Sequence, residues 1–419
     1  MFSILLISSL LYPFIVPIII VLNGKFKVST IGISIIAGIG LATISLGLKN
    51  TGALSGDLVA YSETSMQMGN GSLADAFTLA AQEKYQDYYL AVIWLWLVGR
   101  YANTCLIPAL GAFIEYAVLT YMLVDYSKHK DWNYDKLLIS VISFICLVAY
   151  YFSVSSVRST PALSISMLAL YLDYVRNKRY PWIPLLYIIP CFIHVAGILA
   201  IAFRVALILF NKHPKLAFFV MGGSLVAAYR TAILLDPIAT SIGLGNLSTK
   251  IVRYVNWTST GWAGVVSSSR YYKVLKYTNI LTCVVLASII FVAQSIQKNQ
   301  DNIDETDERL ITLSLCGIGF TLGIAAIITV PSYLRFTYIF YPPSILICVE
   351  YLDKVDVRYL DRRRSPNIHT SKYASLLTNL SLVVVCVTQL MLHLYSLLIH
   401  VDKALLVKYL LLGLPSLLL

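Results

Sequence analysis

Apolar runs long enough to form membrane helices recur through the whole chain, and short polar segments separate them. A helix needs roughly 20 apolar residues to cross a bilayer. The runs are continuous rather than alternating, which predicts helices and not barrel strands. We therefore predict membrane spans at residues 3–22, 29–48, 104–124, 137–154, 158–175, 181–193, 195–210, 216–235, 275–296, 310–330, 334–351 and 374–398.

Two further apolar segments are too short to be assigned as spans. Residues 88–99 are predicted to form a re-entrant or interfacial helix. Residues 404–419 leave two alternatives, a helix in the interface or a last span. The predicted fold class is therefore an all-α, polytopic transmembrane bundle of about 12 to 13 spans. Residues 1–419 are expected to form a single transmembrane domain.

The composition agrees with a surface that faces lipid. Of the 419 residues, 58% are hydrophobic and only 13% are charged, whereas a soluble domain has about 25% charged residues. The net charge of +11 comes from short basic clusters between the spans and not from one patch. This distribution argues against nucleic acid as a partner and is typical of cytoplasmic loops. With those loops in the cytoplasm, the longer loops 49–87 and 236–273 lie on the outer side.

The chain lacks the sequence signatures of the common cofactor and metal sites. It contains no Walker A, G-x-S-x-G or H-E-x-x-H motif, and its seven cysteines show no C-x-x-C or Cys/His spacing. The sequence contains no D-x-D motif either. The sequence therefore gives no reason to expect a cofactor, a metal or a disulfide framework.

Among the ionisable residues within or beside the predicted spans, four stand out, namely Asp57, Arg158, His194 and Arg335. Such residues are costly in a membrane and are functional candidates for that reason. On the predicted orientation all four face the outer side. Each also has a structural explanation: the arginines as interfacial anchors, the histidine as a packing residue and the aspartate as a helix cap.

Together these residues fit a site for a sugar that carries a phosphate group. Arginine offers a planar fork to two phosphate oxygens and stabilises the charge of a leaving pyrophosphate. An imidazole or a carboxylate takes the proton from an attacking hydroxyl, and aromatic rings suit the faces of sugars. The basic, aromatic outer loop adds Arg253 and Arg270 as further candidates.

Five motifs, in this order, resemble the EpsG/Wzy-type bacterial polysaccharide polymerases: SGDLVAYSE, EKYQDYYLAVIWLW, SSVRSTPALSISMLALYL, PCFIHVAGILAI and PSYLRFTYIFYPP. The resemblance covers most of the chain. It implies the multi-helix (GT-C-like) fold of membrane glycosyltransferases. It also implies an inner-membrane enzyme of capsule, exopolysaccharide or O-antigen assembly, which joins repeat units carried on undecaprenyl pyrophosphate at the periplasmic face. The implied partners are the lipid-linked donor and acceptor, a chain-length regulator and a flippase.

The resemblance extends to individual residues. It matches the acidic-aromatic motif after the second span to Asp57 and Tyr61, the arginine that opens a span to Arg158, the later histidine to His194, and the late arginine-tyrosine motif to Arg335 and Tyr338. Where a glutamate is expected before the short outer helix, this chain has Gln86, Asp87 and Tyr88. Glu83 and Asp87 are therefore both candidates for an additional acid.

The resulting hypothesis is a metal-independent glycosyltransferase. Arg158 and Arg335 would hold the pyrophosphate, and His194 or Asp57 would be the base or would orient the acceptor. Two alternatives stay open: a flippase or other transporter of lipid-linked oligosaccharides, and a transferase of the O-antigen ligase type. The candidate cations cluster near one face, which favours an enzyme over a flippase that opens to both faces.

Overall fold

The computed structural model describes residues 1–49, 57–82, 88–101, 103–104, 106–148, 150–211, 213–241, 269–298, 304–327, 334–361 and 368–400. Within these residues every regular element is a helix. The α-helices are α1 (Phe2–Leu11), α2 (Val16–Val21), α3 (Thr30–Lys49), α4 (Asp57–Gly69), α5 (Leu73–Gln82), α6 (Tyr89–Tyr101), α7 (Leu106–His129), α8 (Tyr134–Leu147), α9 (Tyr150–Ser155), α10 (Ser159–Leu170), α11 (Ile183–Ile188), α12 (Ile198–Phe210), α13 (Pro214–Ser241), α14 (Arg270–Lys298), α15 (Glu305–Ile327), α16 (Leu334–Asp361) and α17 (Ile368–His400).

Helices lie at the predicted spans, so the all-helical class is confirmed for the described residues. In the described part of the chain, three helical segments are long and apolar enough to cross a membrane by length and composition: Leu106–His129, Lys273–Ser295 and Glu305–Ile327. Other apolar helices, such as Tyr89–Tyr101, are shorter. The number of spans, the single domain and the likeness to the GT-C-like fold stay predictions.

Several segments differ in detail from the prediction. The first predicted span is interrupted, because α1 ends before Pro13 and α2 begins only at Val16. Proline has no backbone N–H and disfavours a helical residue before it. The span predicted at 137–154 is likewise divided into α8 and α9. The predicted outer loop 49–87 contains two helices, α4 and α5. Most of the second outer loop (242–268) and the tail (401–419) lie outside the described residues.

The chain divides into two compact units, and the first comprises residues 1–204 and 390–419. Its central helix is α7, which packs against α3, α9 and α10. Helices α4, α5 and α6 pack together beside it around a buried apolar core that includes Leu58, Met68, Val92 and Leu95. We refer to these three helices as the α4–α6 platform.

The second unit comprises residues 205–389. Within it α13 packs closely along α15, where Gly319 and Gly323 form a G-x-x-x-G pattern against the backbone of α13. A buried polar network joins other helices of this unit. The Tyr341 hydroxyl donates to Asn279 Oδ1 (2.8 Å), and Gln389 Nε2 donates to the same oxygen (3.2 Å) and to the Thr282 hydroxyl (2.8 Å).

Candidate functional site

Arg158 lies between two tyrosines of the first unit. It directly precedes α10, whose first turn contains Pro161, a residue that a first turn tolerates. Arg158 Nε donates a hydrogen bond to the Tyr61 hydroxyl (2.9 Å). The guanidinium carbon is 5.5 Å from the Tyr61 ring centroid and 4.9 Å from that of Tyr88. Both rings therefore attract the cation through their negative faces and limit the orientation of its plane.

His194 occupies the break in the chain between α11 and α12. Its backbone is extended (φ −158°, ψ 143°), and 3-10 turns flank it on both sides. Gly197 permits the return of the chain, because a Cβ there would collide with the backbone of Pro190. The imidazole stacks on the Tyr88 ring, with centroids 5.9 Å apart and planes inclined by 14°. Tyr88 thus contacts both Arg158 and His194.

The hydrogen bond at His194 fixes its tautomer. The Ala196 N–H donates to His194 Nδ1 (3.1 Å). A ring nitrogen that accepts a hydrogen bond carries no proton, so the proton of the neutral imidazole resides on Nε2. In this state His194 presents an N–H donor at Nε2, and its basic nitrogen caps the next turn. This geometry favours an orienting role for His194 over the role of base.

An aromatic row continues from this cluster. The Phe77 and Tyr89 ring centroids are 5.8 Å apart, and those of Tyr89 and Phe192 are 6.1 Å apart. Tyr89 is 51% exposed and Phe192 is 41% exposed, so both rings are open to a ligand as well as to lipid. Exposed aromatic faces of this kind suit the ring faces of a sugar.

The α4–α6 platform holds the two tyrosines in place through a close helix crossing. A Cβ on Gly99 of α6 would collide with the carbonyl oxygen of Ser65 in α4, while the Ser65 hydroxyl donates to the Leu95 carbonyl (2.7 Å). Arg100 Nη1 and Trp96 Nε1 both donate to the Gly71 carbonyl, at 2.9 and 3.1 Å. These bonds tie α6 to the end of α4, and so relate Tyr88, directly before α6, to Tyr61 within α4.

Other predicted residues are placed only in part. Asp57 is the first residue of α4, and Arg335 and Tyr338 lie in the first turns of α16, but their side chains are outside the described part of the structure. Arg270 begins α14 and is exposed. Arg253, Glu83 and Asp87 lie outside the described residues. The structure thus brings together Arg158, Tyr61 and His194. Among the residues it describes, no three His, Cys, Asp or Glu side chains converge on a possible metal site.

Several polar residues inside apolar segments were not predicted from the sequence. Arg176 Nε and the Tyr171 hydroxyl both donate to Asp125, each at 2.8 Å. Arg204 and the Tyr187 hydroxyl donate to Asp173, the tyrosine at 3.1 Å. These ion pairs surround a π-helical turn, Tyr171–Val175. Their charges compensate one another, so we assign them to the packing of the first unit. Tyr88 and Glu115 were also missed.

The helices and the cluster define a class, a helical membrane protein with a cationic and aromatic site. A family model narrows this class. The EpsG family matches residues 92–367, which is more than half of the chain, and the chain belongs to that family. Arg158 and His194 lie inside the matched region, whereas Tyr61 and Tyr88 precede it. Membership indicates a membrane protein with a polysaccharide-polymerase type of function. No curated protein matches the chain, and no solved structure does so.

Proposed function

We propose that this chain is a glycosyltransferase that polymerises oligosaccharide repeat units linked to undecaprenyl pyrophosphate. Membership of the EpsG family supports the class of reaction. The observation that carries the proposal is the cluster in which Arg158 contacts Tyr61 and Tyr88 while His194 stacks on Tyr88. An oriented guanidinium between two half-buried tyrosine rings suits the junction between a sugar and a pyrophosphate.

Each residue has a role in the proposed reaction. Arg158 donates hydrogen bonds to pyrophosphate oxygens and stabilises the charge that develops as the lipid pyrophosphate leaves, and Arg335 is the second candidate for this role. His194 donates from Nε2 to a substrate oxygen, and the Asp57 carboxylate receives the proton of the acceptor hydroxyl. The acceptor oxygen forms a bond to the anomeric carbon, and the bond from that carbon to the phosphate oxygen breaks. Arg253 and Arg270 remain further candidates for binding the pyrophosphate.

The proposed setting is the bacterial inner membrane, with the site on its periplasmic or outer face. The donor and the acceptor are both lipid-linked, so the aromatic row and the cation must be reachable from the bilayer. A flippase that delivers the repeat units and a regulator of chain length are the proposed protein partners. The product is a capsular, exopolysaccharide or O-antigen chain.

The proposal is tested by Arg158→Lys, which keeps the charge but loses the planar fork and the Nε–H that bonds to Tyr61. We expect long polymer to fall about 10- to 100-fold, the factor expected from charge-assisted hydrogen bonds. The protein should stay at normal abundance. The measurement is a chain-length gel of the glycan from a deletion strain that carries the variant.

Arg179→Lys is the matched control, because Arg179 is 75% exposed and makes one long ion pair with Asp173 (3.8 Å). It should give polymer of normal length. Loss of polymer with single repeat units on the outer lipid supports a polymerase. Units retained on the cytoplasmic side would indicate a flippase, and full-length polymer left on its lipid would indicate a ligase. Polymer of normal length and amount from Arg158→Lys would contradict the proposal and would indicate that Arg158 is only a packing residue.

A further inference from the structure

Asp173 lies in the π-helical turn that continues α10, and residues of α11 and α12 donate hydrogen bonds to it. The Tyr187 hydroxyl of α11 donates to Asp173 Oδ2 (3.1 Å), and Arg204 Nε of α12 donates to the same oxygen. The side chain of Asp173 is 14% exposed and that of Arg204 is 24% exposed, so the ion pair is largely shielded. One carboxylate oxygen thus joins α11 and α12 to the end of α10.

The chain turns back on itself between Tyr187 and Arg204, and His194 lies at the apex. We refer to residues 183–204 as the His194 hairpin. Because Tyr187 and Arg204 donate to the same oxygen, the two arms of this hairpin are held together at Asp173. The Arg204 guanidinium carbon is also 5.5 Å from the centroid of a second side chain of the π-helical turn, the ring of Tyr174. The arm that follows His194 therefore contacts that turn twice.

The hairpin is also closed near its apex, against α10. The 3-10 turns on either side of His194 pack together, and both pack against α10. A Cβ on Gly197 would collide with the backbone of Pro190, so the two arms approach closely there. Helix α10 begins directly after Arg158. The same helix therefore carries Arg158 at its beginning, contacts the turns beside His194, and ends in the carboxylate that joins the two arms.

The neighbouring ion pair has the same chemistry but a different neighbour. Asp125 of α7 accepts hydrogen bonds from the Tyr171 hydroxyl and from Arg176 Nε, each at 2.8 Å. Tyr171 and Asp173 are two positions apart, and such residues point to different sides of a helix. The π-helical turn therefore contacts α7 through Tyr171 and the His194 hairpin through Asp173.

We propose that Asp173 is a positioning residue for His194. The carboxylate holds both arms of the hairpin to the end of α10, and so fixes where the apex places His194 Nε2 relative to Arg158. A group that bonds to the substrate must be held within about 0.5 Å of its productive position. The apex consists of 3-10 turns, whose hydrogen-bond geometry is poorer than that of an α-helix, so the position of the imidazole depends on the arms. This inference rests on the proposed role of His194 in donating to a substrate oxygen.

The test compares Tyr187→Phe with Tyr171→Phe in purified protein supplied with lipid-linked oligosaccharide. Each change removes a tyrosine hydroxyl that donates to an aspartate, which is also paired with an arginine. Tyr187→Phe releases one arm of the hairpin and should lower the polymerisation rate per folded molecule about three- to ten-fold, the value of one hydrogen bond. Tyr171→Phe is the matched control, because it loosens only the contact with α7, and its rate should stay within about two-fold of the unaltered protein.

Variants of Arg204 test the other arm. Arg204→Met removes the donor on α12 and should lower the rate at least as far as Tyr187→Phe. Arg204→Lys retains a cation that can donate to the carboxylate, so it should recover most of the lost rate. The midpoint of thermal unfolding in detergent shows whether each variant is folded. If Arg204→Met does not fold, the comparison of the two tyrosine variants still decides the proposal.

The effect on the rate must pass through His194. In a His194→Asn background, which lacks the Nε2 donor, Tyr187→Phe should lower the rate by no more than about two-fold further, because coupled residues are not additive. Independent effects that multiply in full would overturn the proposal, and so would equal rates for folded Tyr187→Phe and Tyr171→Phe. If His194→Asn alone leaves the rate unchanged, the proposed role of His194 fails first. If His194→Asn lowers the rate and Tyr187→Phe does not, this inference alone fails.

Discussion

The Arg158 guanidinium is oriented by neighbouring side chains and not by its charge alone. The Tyr61 hydroxyl accepts from Nε, and the rings of Tyr61 and Tyr88 attract the cation. A flexible arginine would lose rotational freedom on binding a phosphate, and an oriented one loses less. This preorganisation favours a binding role for Arg158. The apolar sequence around it, taken alone, fits an interfacial anchor equally well.

His194 offers a residue-scale test, because its two ring nitrogens have separable partners. In asparagine the side-chain oxygen takes the place of Nδ1 and accepts the Ala196 N–H, whereas in glutamine the amide nitrogen reaches the position of Nε2. If His194 donates from Nε2, His194→Gln should retain activity within about ten-fold, the value of one hydrogen bond. His194→Asn should keep the fold but lose more activity. Rates of polymerisation by purified protein decide between them.

His213→Gln serves as the control for that comparison, since His213 is exposed directly before α13 and lies outside the cluster. Its polymerisation rate should be unchanged. A general base contributes about 10²- to 10⁴-fold. Losses of that size from both glutamine and asparagine at position 194 would assign His194 as the base and remove that role from Asp57.

The sequence revealed the charged members of the site more readily than the aromatic ones. Arg158 and His194 stood out because a charge or an imidazole is rare in an apolar segment. Tyr88 did not stand out, because the chain has 29 tyrosines and a membrane protein places many of them at interfaces. Its contacts with Arg158 and His194 join positions far apart in sequence, and such contacts are not visible in a local pattern. Glu115 is likewise a charged residue in an apolar segment, so the same criterion would have identified it as a candidate.

At the scale of elements, apolar runs predicted where helices form but not where they break. The continuous hydrophobicity of residues 3–22 predicted one span. The α-helix is interrupted there because Pro13 restricts the backbone. Helix α5 was missed because its exposed face is polar, yet Ser72 and Asp75 form a readable capping pair. The Ser72 hydroxyl and then its backbone N–H lower the pKa of the Asp75 carboxyl. The pair therefore stabilises α5 at any pH above the usual pKa of an aspartate. This stabilisation is lost as the pH falls through the lowered pKa of Asp75.

The crossing of α4 and α6 makes a second prediction. Alanine in a helix is favoured over glycine by about 1 kcal/mol, but a Cβ on Gly99 collides with the Ser65 carbonyl. Gly99→Ala should therefore destabilise the protein by about 1–3 kcal/mol, the usual cost of overpacking. The midpoint of thermal unfolding in detergent should fall.

Gly223 provides the comparison, because it lies inside α13 and a Cβ there would meet nothing within 4 Å. Gly223→Ala should gain the helix preference of alanine without a collision, so its midpoint should rise or stay level. If Gly99→Ala behaves in the same way as Gly223→Ala, the close crossing does not set the distance between Tyr61 and Tyr88.

At the scale of the molecule, the helical class followed from hydropathy, whereas the internal organisation did not. The buried network of Asn279, Thr282, Tyr341 and Gln389 holds three helices of the second unit together. None of these residues differs in type from polar residues elsewhere in the chain. Interhelical hydrogen bonds in membranes depend on which helices become neighbours. That pairing is decided by tertiary packing, as is the division into two units.

The side of the membrane on which the cluster lies is the last prediction. Basic loops favour the cytoplasm, which puts Arg179 inside and the α4–α6 platform outside. Thr78 reports on the site, because it is exposed in α5 next to Phe77, which contacts Tyr89 beside Tyr88. Five of the six described cysteines are buried, so a background with Cys105 and Cys191 changed to serine should label weakly. In right-side-out vesicles a membrane-impermeant maleimide should then label Thr78→Cys, and should label Arg179→Cys only after permeabilisation. The reverse pattern would place Arg158 on the cytoplasmic side, where it has no access to repeat units already moved across the membrane.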